Sequence, residues 1–263
     1  MKKLLALLLV LAMLFALAAC NQKTDGNGKT SGSGETEAPK DTVTIYIPIA
    51  EKVKPASGSE ISVNYEYADN WQEKDTFTFS FVGSLQNKNQ KTTVTVSDRK
   101  MVTETMVDGK KVTTEEYYDK NGHVMKAIAM VAVTAHTSEK TETLNTYDSQ
   151  GRLSNQRVTS YSADGKVSNI SVIPFTYEST SAGSMGTGNS GQRIMVYNKE
   201  NQLIREVVKV NGQEISCVEY SYKDGRQDTM TSYSLGKLEC TVTTTYEAVA
   251  VSPEKAAMLP WAK

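Results

Sequence analysis

This sequence predicts an all-β domain: an antiparallel meander of many hairpins that forms a strongly curved sheet or a two-layer sandwich, with a short C-terminal helix. Three observations carry the prediction. Apolar residues alternate with period two through most of the chain after residue 42. Asn-Gly and Asp-Gly pairs recur between the alternating runs. Helix-start chemistry stands out at one place, near the C-terminus.

Taken in order, Val43, Ile45, Ile47 and Ile49 share one face of the first strand, Ile61, Val63, Tyr65 and Tyr67 one face of the second, and Phe77, Phe79 and Phe81 one face of the third. Thr, Ser, Lys and Glu fill most of the opposite positions in residues 92–96, 111–115 and 139–143, as on a solvated sheet face. Pro48 has no amide hydrogen to give a ladder, which places the first strand at an edge or ends it there. Residues 127–133 are apolar at both parities and are expected to be covered on both sides. Met125, Ile128, Ala129 and Ala132 also fit a helical spacing, but Val131, Val133 and Thr134 favour a strand. Ser252, Pro253 and Glu254 open a helix leading into Lys255 to Met258. With Leu259 and Trp261, that helix is expected to cover an end or face of the sheet. About fifteen strands emerge, and open sheets rarely exceed about 10 without curling, splitting or closing.

The turns Asp108-Gly109, Asn121-Gly122, Asp164-Gly165, Asn211-Gly212 and Asp224-Gly225 are hairpin signals. Some sit in a larger unit. YDKNGHV from Tyr118 to Val124, YDSQGRL from Tyr147 to Leu153 and YSADGKV from Tyr161 to Val167 share a Tyr, a turn with Gly, a basic or His residue and an aliphatic residue. YNKENQL from Tyr197 to Leu203 keeps the frame with Asn201 in place of Gly. Across about a third of the chain this resembles the YD-type hairpin repeat of bacterial cell-surface and Rhs-like proteins, although the starts have no fixed period. The resemblance implies a repeat-built β surface and brings no catalytic residue. Tyr118, Tyr147, Tyr161 and Tyr197 are therefore the candidate binding surface, as rings able to stack on sugars or meet a protein. The competing reading has them packed beside the turns, pinning strand register.

The N-terminus carries Lys2 and Lys3, an uncharged run from Leu4 to Leu17, and small residues before Cys20, the layout of a cleaved export signal. Leu17-Ala18-Ala19-Cys20 resembles the bacterial lipoprotein lipobox, which implies that Cys20 is lipidated on sulfur and becomes the new N-terminus. The apolar run is shorter than the roughly 20 residues a spanning helix needs. Two or three acyl chains give stable attachment where one does not. Residues 1–19 are thus expected to be a signal peptide and 20–41 the lipidated cysteine with a disordered Gly/Ser/Thr-rich tether, leaving residues 42–263 as one β-rich extracytoplasmic domain. The membrane, reached through the lipid, is the first expected partner.

Removing the signal takes two lysines and no acid, leaving a net charge of −3. With no basic stripe, nucleic acid is not an expected partner. Cys217 and Cys240 fall on next-but-one strands, about 9.6 Å apart and on opposite faces, which disfavours a disulfide.

No catalytic set is evident, and no enzyme, metal or cofactor is expected. The glycines of residues 186–191 match a dinucleotide fingerprint but lie in an expected flexible loop, 179–191, with no helix after them. His123 and His136 lack the further ligands a zinc site needs, and His123 takes a post-turn position expected to be solvated. Residues 119–122 resemble the opening of a calcium loop without its closing Glu. Ser234 and Lys237 have the spacing of a serine acyl-enzyme pair but flank a hairpin Gly. Glu115 and Glu116 point to opposite faces. Two roles remain: a noncatalytic binding or scaffold module meeting an envelope glycan or protein, or a carrier enclosing a lipid or other apolar ligand in a curved sheet.

Overall fold

The computed structural model describes residues 42–69, 71, 77–82, 91–107, 109–134 and 137–259; the signal, Cys20 and the tether, His136 and Trp261 lie outside the described residues. The strands are β1 (Val43–Pro55), β2 (Ile61–Tyr67), β3 (Phe77–Val82), β4 (Lys91–Ser97), β5 (Lys100–Val107), β6 (Lys110–Tyr118), β7 (Val124–Ala132) and β8 (Ser138–Tyr147). The second half holds β9 (Leu153–Tyr161), β10 (Val167–Thr180), β11 (Gly183–Gly188), β12 (Arg193–Asn198), β13 (Leu203–Val210), β14 (Gln213–Lys223), β15 (Arg226–Ser234) and β16 (Lys237–Val251), and the helix α1 (Pro253–Met258) follows.

Each strand pairs antiparallel with the next, and β1 pairs with β16 from Val43 opposite Val251 to Pro55 opposite Cys240. The meander therefore closes into a barrel. This corrects the expectation of an open curved sheet or a sandwich: the first and last strands, of 13 and 15 residues, satisfy each other's edges. Local patterning could not show it, because closure is a contact between the two ends of the domain.

Two strands turn the corners. β2 pairs with β1 through Ile61–Asn64 and with β3 through Tyr65–Tyr67. β10 pairs with β9 up to Pro174 and with β11 from Phe175 onward.

Pro48 sits inside β1, opposite Tyr246, where the register shifts between Pro48 and Ala50. It is not at an edge, as expected from its missing amide; a bulge absorbs it instead. In β7, Ala127 and Ala129 are buried, whereas Ile128 and Met130 are only half-buried and face outward opposite Glu142 and Lys140. The stretch is thus covered on one side only, its outer apolar atoms sheltered by long polar neighbours.

The expected loop 179–191 is instead β11 and a short 3-10 turn, Asn189–Gly191. Glycine is needed there for space. A Cβ on Gly186 would lie 2.3 Å from the Tyr177 ring, and one on Gly188 2.8 Å from Ile173 and Phe175. The rings lie on the bare backbone of β11, which lets the wall curl tightly.

The largest core cluster joins Ile45, Ile47, Phe79, Val94, Val96 and Met101 of the inner wall to Trp71, Ala256 and Leu259. Helix α1 forms where expected, with the Ser252 hydroxyl accepting from the Lys255 amide at 3.2 Å. It covers part of one end of the barrel. Leu259 has 0% exposure, a burial that contributes about 1.5–3 kcal/mol.

Cys217 and Cys240 are free and buried. They lie on β14 and β16 with β15 between, opposite Tyr233 and Ser232 respectively, so they face opposite sides.

Candidate functional site

The four Tyr-led units share one hairpin geometry. In each, the residue after Tyr donates its amide to the carbonyl four residues on: Asp119 to His123, Asp148 to Arg152, Ser162 to Lys166, Asn198 to Gln202, at 2.9 Å in every case. The fourth turn residue returns an amide to that same residue, and takes φ of +85° at Gly122, +78° at Gly151, +82° at Gly165 and +62° at Asn201. Asn tolerates the left-handed region, which is why the fourth unit keeps the frame without Gly. The Asp119, Asp148 and Asn198 side chains each accept the amide of the last turn residue, at 2.8–2.9 Å.

Connections in a meander alternate between the two ends of the barrel. The turns after β6, β8 and β12 fall at one end, with the β14–β15 turn, and the turn after β9 falls at the other. Side chains tie the rim together: Asn201 donates to the Gln150 carbonyl, and Gln202 Nε2 to the Gly225 carbonyl at 3.2 Å.

Behind this rim lies a cavity of about 470 Å³, within the size range of small-molecule sites. Its lining includes four tyrosines and seven carboxamide side chains, with His123, Arg193 and Glu206 as the charged or titratable groups. The interior polar groups form a directed chain. Arg193 donates to Gln156 Oε1 and to Glu206, Gln156 donates to Asn145 Oδ1 at 3.2 Å, and Asn145 donates to the Val124 carbonyl at 2.9 Å. Arg193 on β12 thus reaches Gln156 on β9 across the inside of the curl.

Two buried atoms of this wall, Arg193 Nε and Gln227 Oε1, have no hydrogen-bond partner among the described residues. Gln227 is 2% exposed. A buried acceptor left unmet costs about 1–3 kcal/mol.

The tyrosines singled out by sequence do not form one ladder. Tyr118 and Tyr197 are each 7% exposed. Tyr118 belongs to the core and donates to Glu116, while Tyr147 and Tyr197 line the cavity. Tyr161 lies at the far end with the Lys140 ammonium 4.0 Å over its ring. His123, expected to be solvated, is held 3.0 Å from Asp119 and stacks on Tyr147 at 4.6 Å between centroids. Its neighbour across the wall, absent from a one-strand reading, covers it.

Asn145, Gln156, Arg193, Glu206 and Gln227 were invisible as a set in the sequence. Each is a polar residue at an inward position, a signal that exists only once register is known. Among the described residues, no three His, Cys, Asp or Glu side chains converge as metal ligands. Glu115 and Glu116 do face opposite ways: Glu115 pairs with Lys100 at 3.0 Å, and Glu116 is buried. Ser234 and Lys237 close the β15–β16 hairpin.

No protein-family profile matches this sequence, and no curated protein matches it. Among solved structures, it is similar to a porin-like protein from Bacteroides uniformis at 12% identity and a TM-score of 0.36, over 80% of this chain and 99% of the other. A porin-like protein from Bacteroides vulgatus gives 13% identity and a TM-score of 0.37, over 76% of this chain and 99% of the other.

Proposed function

We propose that this protein is a noncatalytic binding module, held on the extracytoplasmic face of a bacterial membrane by the lipidated Cys20 and a short tether, and that it binds in the rimmed cavity of the barrel. The cavity carries this reading: it is open at a rim locked by side-chain bonds, and its wall holds buried polar atoms without a partner among the described residues. The domain is read as standing off the bilayer. Its outward face carries ion pairs, Lys100 with Glu115 and Lys126 with Glu142, where a membrane barrel presents an apolar band. A lipid cargo fits poorly, because carboxamides, Arg193 and Glu206 would lose water against acyl chains.

Two variants test the reading in cells and on envelope fractions. Cys20→Ser should abolish fatty-acid labelling and release the protein from membranes; unchanged labelling overturns the anchor. Ser149→Trp places a ring on an exposed rim position of the cavity. It should leave the melting temperature unchanged and abolish retention on isolated envelope material. Equal retention of both forms overturns binding through the cavity.

A further inference from the structure

The charge and hydrogen-bond inventory of the cavity narrows the ligand class, on the reading that the cavity is the binding site. Arg193 is paired with Glu206 and His123 with Asp119, so the charged or ionisable groups of the described lining already have counter-groups. An anion or cation would leave water without a counter-charge to meet it. Among the described residues, the fully buried atoms of this wall without a hydrogen-bond partner are one donor, Arg193 Nε, and one acceptor, Gln227 Oε1. A hydroxyl group both donates and accepts. Seven carboxamides offer donors and acceptors around it, and Tyr147, Tyr197, Tyr220 and Tyr222 supply ring surface. Apolar contact comes from Val124, Leu153, Met195 and Leu203.

We infer that the cavity takes a neutral, hydroxyl-rich small molecule of the sugar class, one of whose hydroxyls meets the Gln227 side chain while another, or the same one, accepts from Arg193.

Gln227→Leu makes the test sharp. It removes an unmet buried acceptor and replaces it with apolar atoms of similar size, so the ligand-free protein should melt at the same temperature or higher. A purely structural glutamine, satisfied by internal water, would lower it. The purified full chain in detergent is titrated by calorimetry with glucose, N-acetylglucosamine, maltose and trehalose, and with glucuronate, glucosamine and dodecanoate as charged and apolar counterparts. The inference expects binding of at least one neutral sugar, weakened at least tenfold in Gln227→Leu without loss of melting temperature, and no binding of the charged counterparts. Preference for glucuronate, glucosamine or dodecanoate overturns the sugar class and leaves the binding module standing. Absence of binding to every probe up to millimolar concentration also overturns it. If Ser149→Trp is then retained on envelope material as well as the wild type, the binding reading fails with it.

Discussion

The Tyr147 hydroxyl donates to the Val124 carbonyl at 2.9 Å, from the end of one hairpin to the start of the strand beside it. The relationship repeats: Tyr177 donates to the Leu153 carbonyl and Tyr222 to the Leu203 carbonyl, both at 2.8 Å. Val124, Leu153 and Leu203 are each the first residue after a Tyr-led turn, and in each case pairing with the next strand begins only two residues later. The carbonyl therefore lies beyond the ladder, and a tyrosine from the next strand satisfies it. Tyr147→Phe, Tyr177→Phe and Tyr222→Phe are each expected to cost about 1 kcal/mol. Urea denaturation should show a lower midpoint with an unchanged slope, and a change below measurement error at all three sites would remove the interlock.

That interlock marks where the sequence was legible and where it was not. Alternation in Val43 to Ile49 and the turn signals at Asn121-Gly122 and Asp164-Gly165 are local, so strands, hairpins and the Ser252 cap could be read directly. The partners of Tyr147 and Gln156 lie on neighbouring or farther strands, and which inward residues meet depends on bulges such as those beside Tyr118, Tyr147 and Tyr197. A bulge shifts register by one residue and flips the faces, which no periodicity count over a single strand detects.

Gly186 tests the packing that the loop expectation missed. Gly186→Ala would put a methyl group into the Tyr177 ring, whose hydroxyl is already fixed on Leu153. The ring has no room to retreat without breaking that bond, and a loss of about 1–3 kcal/mol is expected. Gly212→Ala is the control: its Cβ would meet nothing within 4 Å, so any loss there reflects its φ of +78° alone. Equal stability of Gly186→Ala and wild type would mean that β11 does not lie under the ring.

Burial pushes both thiols upward: that of Cys217 despite the opposing bond from Arg205, and that of Cys240 despite the one from Ser232. A thiol reagent at pH 8 should therefore react slowly with the native mature protein and rapidly with two thiols in denaturant. Two, and not three, is the expected count, because lipid occupies the Cys20 sulfur in the proposed mature form. Three reactive thiols would refute the lipid, and none in denaturant would indicate a disulfide that the strand geometry forbids.

Glu116 gives the pH dependence its sign. Its carboxyl is buried in the inner wall, and that burial raises its pKa from 4.5 to about 7, with the Tyr118 hydroxyl bond pulling the other way. Between those two values the folded protein holds a proton that the unfolded chain has released. Stability contributed by this group is complete below about pH 4.5 and falls as pH rises through about 7. A shift of that size corresponds to about 3 kcal/mol, an order-of-magnitude figure. Glu51, also raised by burial, adds a slope of the same sign. Glu116→Gln keeps the shape and the acceptor for Tyr118 while removing the charge. It should flatten the fall in unfolding free energy between pH 5 and pH 8 and exceed wild type at pH 8, as measured by urea titrations at each pH. A variant whose stability falls with pH as steeply as that of wild type would show that the folded barrel does not raise the Glu116 pKa.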